Sequence, residues 1–379
     1  MSPKTVRVLV VDDSPTARMA VRAALETDPA ISVVGEASNG EEALRLTRRL
    51  NPDLVTMDVY LKSGDGIEVT SLIMAEAPTA VIVVTSMDAK NPNLVYRAVD
   101  AGALEVTGKP PRPGTPTYDA CCRRLTRLVR TLASVHIIRR RPARGAIPAK
   151  PQLATVSPSP TRTAPRSFEP HACGVGLLVI GASTGGPPAI RELLDGLPHP
   201  MPAPIALVQH MMPDFIGGFA DWLGYETGRR VLVVTERTMM RPDTVYVAPD
   251  DRHLELLDRV KLGPIDGEPV LHQRPAVDRL FESAATAMGA RTIAVLLTGM
   301  GRDGALGLLS LSRSGAITLV QDPETCVVPG MPCAALELGA ASAVLSVSEM
   351  ATQIGRWLQG SRSDSGLSSA SPGDKEQRQ

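Results

Sequence analysis

Short apolar runs alternate with amphipathic stretches along the first half of the chain. The runs rich in valine and isoleucine lie at 6–11, 31–36, 53–57, 80–84 and 103–107. Helix-like stretches such as Pro15–Thr27 and Glu41–Leu50 separate them. Strands that alternate with helices at this spacing predict a five-stranded parallel sheet of the flavodoxin-like kind, covered by helices on both faces.

The second half repeats this alternation on a larger scale. Strand-like runs lie at 176–181, 204–209, 230–234, 244–249, 292–299 and 316–321, and helices are predicted over 188–195, 214–225, 276–288, 303–313 and 331–338. The stretch 276–288 is amphipathic, because Val277, Leu280 and Phe281 fall on one face. We therefore predict a second α/β domain that is doubly wound and mostly parallel.

The composition changes between the two halves. From Arg139 to Pro170 the chain is rich in proline, arginine, alanine and serine and has almost no large apolar residues. Such a segment cannot bury enough apolar surface to offset the entropy lost on ordering. We predict a flexible linker at 134–172, a first domain over 1–133, a second over 173–358 and a disordered tail over 359–379.

Composition and charge exclude several classes of function. The 40 lysines and arginines balance 40 aspartates and glutamates, and aromatic residues are only 3%, so neither a positive field nor stacking platforms favour nucleic acid. No apolar run has the length of a membrane span, and the first residues do not resemble a signal peptide. Five cysteines without zinc-type spacing suit reduced thiols. We expect a cytoplasmic protein without membrane insertion.

Polar residues follow the predicted strands of the first domain. Asp12 and Asp13 follow the first strand, Asp58 the third, Thr85 the fourth and Lys109 the fifth. Any one aspartate is most simply a loop or cap residue, but the carboxyl ends of parallel strands share one edge, where ligands bind. Carboxylates ~4 Å apart repel by about 4 kcal/mol per pair at an effective dielectric near 20, so the cluster needs a cation, and Mg²⁺ is the natural choice. A carboxylate beside this metal can attack a phosphoryl group.

The stretches "VLVVDDSPTAR", "PDLVTMDVYLKSGDG" and "GKP" resemble the receiver domain of two-component response regulators over about residues 4–130. The resemblance implies that Asp58 accepts the phosphoryl group, that Asp12 and Asp13 hold Mg²⁺ with it, and that Thr85 and Lys109 sense phosphorylation. It also implies a cis Lys109–Pro110 peptide and a histidine kinase as phosphodonor.

The stretch "VIGASTGGPP" places Ser183 in a glycine-rich turn after a strand. Such a turn can cradle a phosphate, or the serine can simply cap a helix, but the turn lacks the lysine of a P-loop. His210 follows the next strand, and Asp303 follows the strand at 292–299. A hydroxyl, an imidazole and a carboxylate at one sheet edge favour acyl transfer, with backbone amides of the turn around Gly299–Gly301 as an oxyanion hole.

The combination "GASTGG … VQHM … VYVAPDDRHLEL … RPAVDRLFESAA … LLTGMGRDGA … QDPETCVVPGMP" resembles the catalytic domain of the chemotaxis protein-glutamate methylesterase (CheB) family over about residues 174–358. The resemblance implies Ser183 as nucleophile, His210 as base and Asp303 as its orienting carboxylate. It also implies that Thr184 supports the site and that the Met300 amide contributes to the oxyanion hole. Cys333 stands where the family often has arginine.

Together the two resemblances imply a phosphorylation-activated hydrolase for chemotactic adaptation. It would demethylate glutamate methyl esters, and deamidate glutamines, on the cytoplasmic domain of chemoreceptors, and the esterase would need no cofactor. Two alternatives remain open from the sequence: a receiver-controlled esterase in a non-chemotactic signalling array, and a catalytically silent, phosphorylation-dependent binding module. A DNA-binding output is disfavoured, because it would be a short helical domain with a basic face.

Overall fold

The computed structural model describes residues 5–62, 64–86, 94–135, 175–212 and 215–363. The chain forms two compact units, which correspond mainly to its N-terminal and C-terminal parts. Most of the predicted linker, and the predicted tail after Ser363, lie outside the described residues, whereas residues 359–363, which were predicted to belong to the disordered tail, end a helix over Val347–Ser363. None of the helices within the described ranges combines the length and hydropathy that a bilayer crossing requires.

The first unit contains a five-stranded parallel sheet in the order β2-β1-β3-β6-β7, which confirms the predicted flavodoxin-like arrangement. Its strands, with a two-residue antiparallel pair β4 and β5, are β1 (Val6–Val11), β2 (Ile31–Ala37), β3 (Leu54–Met57), β4 (Tyr60–Leu61), β5 (Gly64–Asp65), β6 (Ala80–Thr85) and β7 (Glu105–Gly108). Its helices are α1 (Pro15–Leu25), α2 (Gly40–Leu50), α3 (Gly66–Glu76), α4 (Leu94–Asp100) and α5 (Tyr118–Leu132).

The sequence places the start of α1 immediately after the acidic end of β1. Ser14 is the N-cap, and its side chain accepts a hydrogen bond from the amide of Ala17, while Pro15 occupies the first helical turn. Both residue types are favoured at these positions. The abrupt turn leaves Asp12 and Asp13 at the carboxyl edge of the sheet.

The second unit is built on a seven-stranded sheet in the order β10-β12-β9-β8-β15-β16-β17, in which every pair is parallel. The strands are β8 (Leu177–Ala182), β9 (Ile205–Gln209), β10 (Arg230–Val233), β12 (Thr244–Val247), β15 (Thr292–Leu296), β16 (Ile317–Gln321) and β17 (Ala343–Leu345). A separate antiparallel sheet contains β11 (Thr238–Met239), β13 (His253–Leu256) and β14 (Lys261–Ile265). The predicted doubly wound α/β fold is confirmed.

The helices of this half are α6 (Gly186–Gly196), α7 (Ile216–Thr227), α8 (Val277–Ala287), α9 (Ala305–Arg313), α10 (Gly330–Glu337) and α11 (Val347–Ser363), with 3-10 turns at Gly289–Arg291 and Pro323–Thr325. The chain leaves β8 towards β9 on one side, whereas β15 leads to β16 on the other. Strand order therefore reverses between β8 and β15, which is where ligands bind in open α/β sheets.

Two local expectations differ from the structure. The strand predicted over 292–299 ends at Leu296, so that residues 297–304 form a loop before α9. The Lys109–Pro110 peptide is not cis. The cis X-Pro bonds among the described residues are His199–Pro200 and Arg274–Pro275.

Candidate functional sites

The three aspartates that the sequence placed at one edge of the first sheet lie close together in the structure. One carboxylate oxygen from each of Asp12, Asp13 and Asp58 lies within 4.8 Å of the others. Asp12 and Asp58 are almost fully buried, at 2% and 3% exposure. Three oxygen donors so close together are suited to a hard divalent cation, so the residues present fit Mg²⁺.

Lys109 lies beside this cluster. Its Nζ is 2.7 Å from Oδ2 of Asp12 and 2.9 Å from Oδ2 of Asp58. Burial acts to lower the pKa of Lys109, but its hydrogen bonds to the two carboxylates outweigh burial and raise it. The pKa of Asp58 is raised, because burial and the nearby Asp12 outweigh the opposite effect of Lys109.

Thr85 is the last residue of β6, and its carbonyl accepts a hydrogen bond from the amide of Lys109 at 3.0 Å. Its own hydroxyl oxygen is buried and has no hydrogen-bond partner in the described part of the chain. A buried hydroxyl without a partner costs free energy, so it is available for a group that enters the pocket.

Sheet register brings Ser183 and His210 to adjacent positions in the second domain. Ala182 pairs with Gln209, and Ser183 and His210 are the next residues along these two parallel strands. The amide of Ser183 donates to the carbonyl of Thr298, and the amide of His210 to that of Ala182, at 3.0 and 2.9 Å. Ser183 is 8% exposed.

Asp303 reaches the same edge from the loop after β15. Its Oδ2 is 2.9 Å from Nε2 of His210, and both side chains are at least nine-tenths buried. Burial acts to raise the pKa of Asp303, but the hydrogen bond and charge of His210 outweigh it, together with the amides of Asp278 and Val277, and the pKa is lowered. An ionised carboxylate only accepts hydrogen bonds, so Nε2 carries the imidazole proton.

The other ring nitrogen of His210, Nδ1, is buried and has no hydrogen-bond partner among the residues that the structure describes. No hydrogen bond joins the Ser183 hydroxyl to another of the residues that the structure describes. The structure therefore joins His210 and Asp303 of the predicted triad by a hydrogen bond. It places Ser183 at the end of the neighbouring strand, β8. Contacts between nucleophile and base are often loose without substrate.

One amide of the turn predicted to supply an oxyanion hole is already engaged in a hydrogen bond within the domain. The amide of Gly299 donates to the carbonyl of Val328, at 2.8 Å, whereas that of Met300 makes no backbone hydrogen bond within the described ranges. Thr184 is buried, and its carbonyl lies 3.0 Å from the Thr298 hydroxyl. Gly304, the N-cap of α9, has φ +88°, a conformation that favours glycine.

Gln209 and Gln321 also shape this site, and neither was singled out from the sequence. Nε2 of Gln209 donates to the carbonyls of Ser183 and His210, at 2.9 and 2.8 Å. The Thr298 amide donates to Oε1 of Gln321, the last residue of β16. His253 is buried in β13, at 1% exposure, and accepts a hydrogen bond from the Ala276 amide just before α8.

Fold and geometry together define a two-domain protein in which a receiver-type acidic pocket is followed by an α/β domain with a Ser-His-Asp cluster. Comparisons with known proteins agree with both halves. The model of the response regulator receiver domain family matches residues 8–115, and that of the CheB methylesterase family matches residues 178–354.

Among curated proteins, the protein-glutamate methylesterase/protein-glutamine glutaminase 3 of Anaeromyxobacter dehalogenans (strain 2CP-C) is 41% identical over 355 residues, 93% of this chain and 99% of that protein. A second such protein, from Methanospirillum hungatei JF-1, is 40% identical over 88% of this chain and 93% of its own length. The crystal structure of the Thermotoga maritima CheB methylesterase catalytic domain is 35% identical and covers 48% of this chain and 98% of its own, with a TM-score of 0.47. The chain belongs to the protein-glutamate methylesterase/protein-glutamine glutaminase family.

Proposed function

We propose that the C-terminal domain hydrolyses methyl esters of glutamate side chains on the cytoplasmic domain of chemoreceptors, and that it deamidates glutamines there. The protein would then act in the cytoplasm. The observation that carries the proposal is the hydrogen bond between His210 and Asp303 beside Ser183, at the point where strand order reverses. Sequence identity of about 40% over most of this chain and of the curated relatives supports the same activity.

We infer a role for each group of this site. The Ser183 oxygen attacks the ester carbonyl, and its proton passes to Nδ1 of His210, the nitrogen without a partner. Asp303 stabilises the imidazolium that results. The tetrahedral oxyanion lies against the free amide of Met300, with Thr184 supporting the turn. Return of the proton releases methanol, and a water, activated by the same base, releases the glutamate and restores Ser183.

Deamidation follows the same sequence of steps with a glutamine side chain. Ammonia then leaves in place of methanol, and the acyl-enzyme is the same. Because the acyl group is shared, one substitution at Ser183 should remove both activities.

The first domain would control the second through phosphorylation of Asp58 by a histidine kinase. Asp12, Asp13 and Asp58 would hold Mg²⁺, which supplies charge compensation for the phosphoryl oxygens. Lys109 is placed to neutralise an oxygen on the phosphorylated side chain, and the Thr85 hydroxyl is available to donate a hydrogen bond to another.

The decisive experiment incubates the full chain with receptor membranes whose glutamates carry labelled methyl groups and measures volatile methanol. The wild type should release methanol, more strongly with a small phosphodonor and Mg²⁺. Ser183→Ala should release none, and Asp58→Asn should lose only the stimulation. Release by the wild type that does not exceed the background without protein would instead favour a catalytically silent binding module.

A further inference from the structure

Both oxygens of the Asp303 carboxylate accept hydrogen bonds, and the donors come from three parts of the chain. Oδ2 accepts from Nε2 of His210 and from the amide of Val277, at 2.9 and 2.7 Å. Oδ1 accepts from the amides of Asp278 and Gly304, both at 2.9 Å. Val277 and Asp278 are the first residues of α8, so the carboxylate also lies at the positive end of that helix.

The side chain of Asp278 makes the reciprocal contact. It is 3% exposed, and its Oδ1 accepts a hydrogen bond of 2.7 Å from the amide of Gly307, in the first turn of α9. A carboxylate before α9 thus caps α8, while a carboxylate within α8 caps α9. Hydrogen bonds to these two side chains therefore connect the N-terminus of α8 to the N-terminus of α9.

This exchange depends on close packing of the two helices. A Cβ atom on Gly307 would lie 2.6 Å from Cβ of Phe281 and 2.9 Å from the carbonyl oxygen of Asp278. Only glycine therefore lets this part of α9 approach α8 closely enough for its amide to reach the carboxyl group. The loop that carries Asp303 ends directly at α9, so the approach also fixes that loop.

The charges in this region are consistent with a structural carboxyl group. Burial, with repulsion from Asp303 and Glu282, raises the pKa of Asp278 to about 7, against the lowering effect of the Gly307 amide. The proton that Asp278 holds reduces its repulsion with Asp303. His253 adds a further anchor, because it binds the Ala276 amide just before α8.

We propose that Asp278 is a positioning residue of the hydrolase site, which acts by anchoring α9 to α8 and so holds Asp303 at hydrogen-bonding distance from His210. This inference rests on the proposed function of Ser183, His210 and Asp303. Asp278 itself would touch no reacting atom. Its effect should appear in the reactivity of Ser183 and not in substrate binding.

The test measures how fast a fluorophosphonate reacts with Ser183 in the full chain, because this reaction needs the activated serine but no receptor. Asp278→Ala, which removes the acceptor for the Gly307 amide, should slow the reaction at least about tenfold. Asp278→Asn keeps an acceptor oxygen and should stay within about threefold of wild type. Asp243→Asn, which alters a carboxylate paired with Arg229 away from this site, is the matched control.

Each outcome bears on one proposal. No reaction with wild type, or equal reaction with Ser183→Ala, would overturn the proposed function itself. With those two controls as expected, normal rates for Asp278→Ala would overturn the positioning role, and so would a rate for Asp278→Asn as low as that of Asp278→Ala. Where the alanine variant does not fold, Asp278→Ser replaces it, and rates are divided by the folded fraction from tryptophan fluorescence.

Discussion

Nε2 of His210 and Oδ2 of Asp303 lie 2.9 Å apart, and this contact decides which imidazole nitrogen remains basic. With the proton held on Nε2, the lone pair of Nδ1 is free at a buried position without a partner. The nitrogen left to act as the base is therefore Nδ1, and a change at Asp303 should act through the imidazole tautomer.

Asp303→Asn should lower methanol release by about 10³–10⁴-fold, the loss that follows when an orienting carboxylate becomes an amide. The reason is specific to this site, because both carboxylate oxygens accept from two N–H groups each. In the asparagine variant, the NH₂ group would replace one of these oxygens and would face N–H donors whose hydrogen bonds it cannot accept. The measurement is labelled-methanol release by the full chain, with Asp258→Asn, at an exposed turn, as control. A loss of less than tenfold would contradict this account.

Gln209 should matter although it bears no reactive group. Its side-chain amide joins the carbonyls of Ser183 and His210, so it fixes the separation of nucleophile and base. Gln209→Leu should lower kcat at least about tenfold while KM changes little, because small misplacements of reacting groups are costly. Steady-state kinetics would show this. Gln353→Leu, in α11, is the matched control, and a change confined to KM would argue against a positioning effect.

Both main sheets could be predicted from the sequence, because parallel strands buried on both faces are continuous apolar runs. The strands of the second half that were not predicted have weaker patterns. β17 (Ala343–Leu345) is short and only partly buried, and β11, β13 and β14 are only two to five residues long and include polar residues. Their pairing depends on contacts that no local pattern encodes.

The candidate site shows the same contrast between residues that the sequence predicts and residues that only the fold reveals. Ser183, His210 and Asp303 were predictable as candidates because each follows a strand of a parallel sheet. Asp278 has the sequence pattern of an ordinary acidic residue in the first turn of a helix, and Gln209 that of a strand end. Their partners, Gly307 and the carbonyl of Ser183, are 29 and 26 residues away, so only the fold reveals the contact.

Asp278 predicts a pH dependence of stability. Its pKa is about 7 in the folded protein against an ordinary value of 3.8, so the folded state binds the proton more tightly than the unfolded chain. This group therefore lowers the free energy of unfolding as pH rises from about 4 to about 7. Asp278→Asn should remove that decline.

The measurement is denaturant unfolding at a series of pH values, followed by tryptophan fluorescence. Trp357 lies in α11 of the second unit and reports on the unfolding of that unit. The difference in unfolding free energy between variant and wild type should grow in favour of the variant with rising pH. A difference that stays constant between pH 4 and 7 would show that Asp278 does not titrate there.

The contact between Lys109 and Asp58 predicts that the rate of phosphorylation depends on pH. Its Nζ contacts Asp58 and favours the ionised carboxylate, which otherwise has its pKa raised by burial and by Asp12. Lys109→Ala should raise the pKa of Asp58 further, so the rise of phosphorylation rate with pH should move to higher pH. Initial rates with a small phosphodonor at fixed Mg²⁺ concentration would show the shift. Lys109→Arg keeps the charge and should shift less, and a rate profile of Lys109→Ala that coincides with wild type would mean that the metal alone sets the ionisation of Asp58.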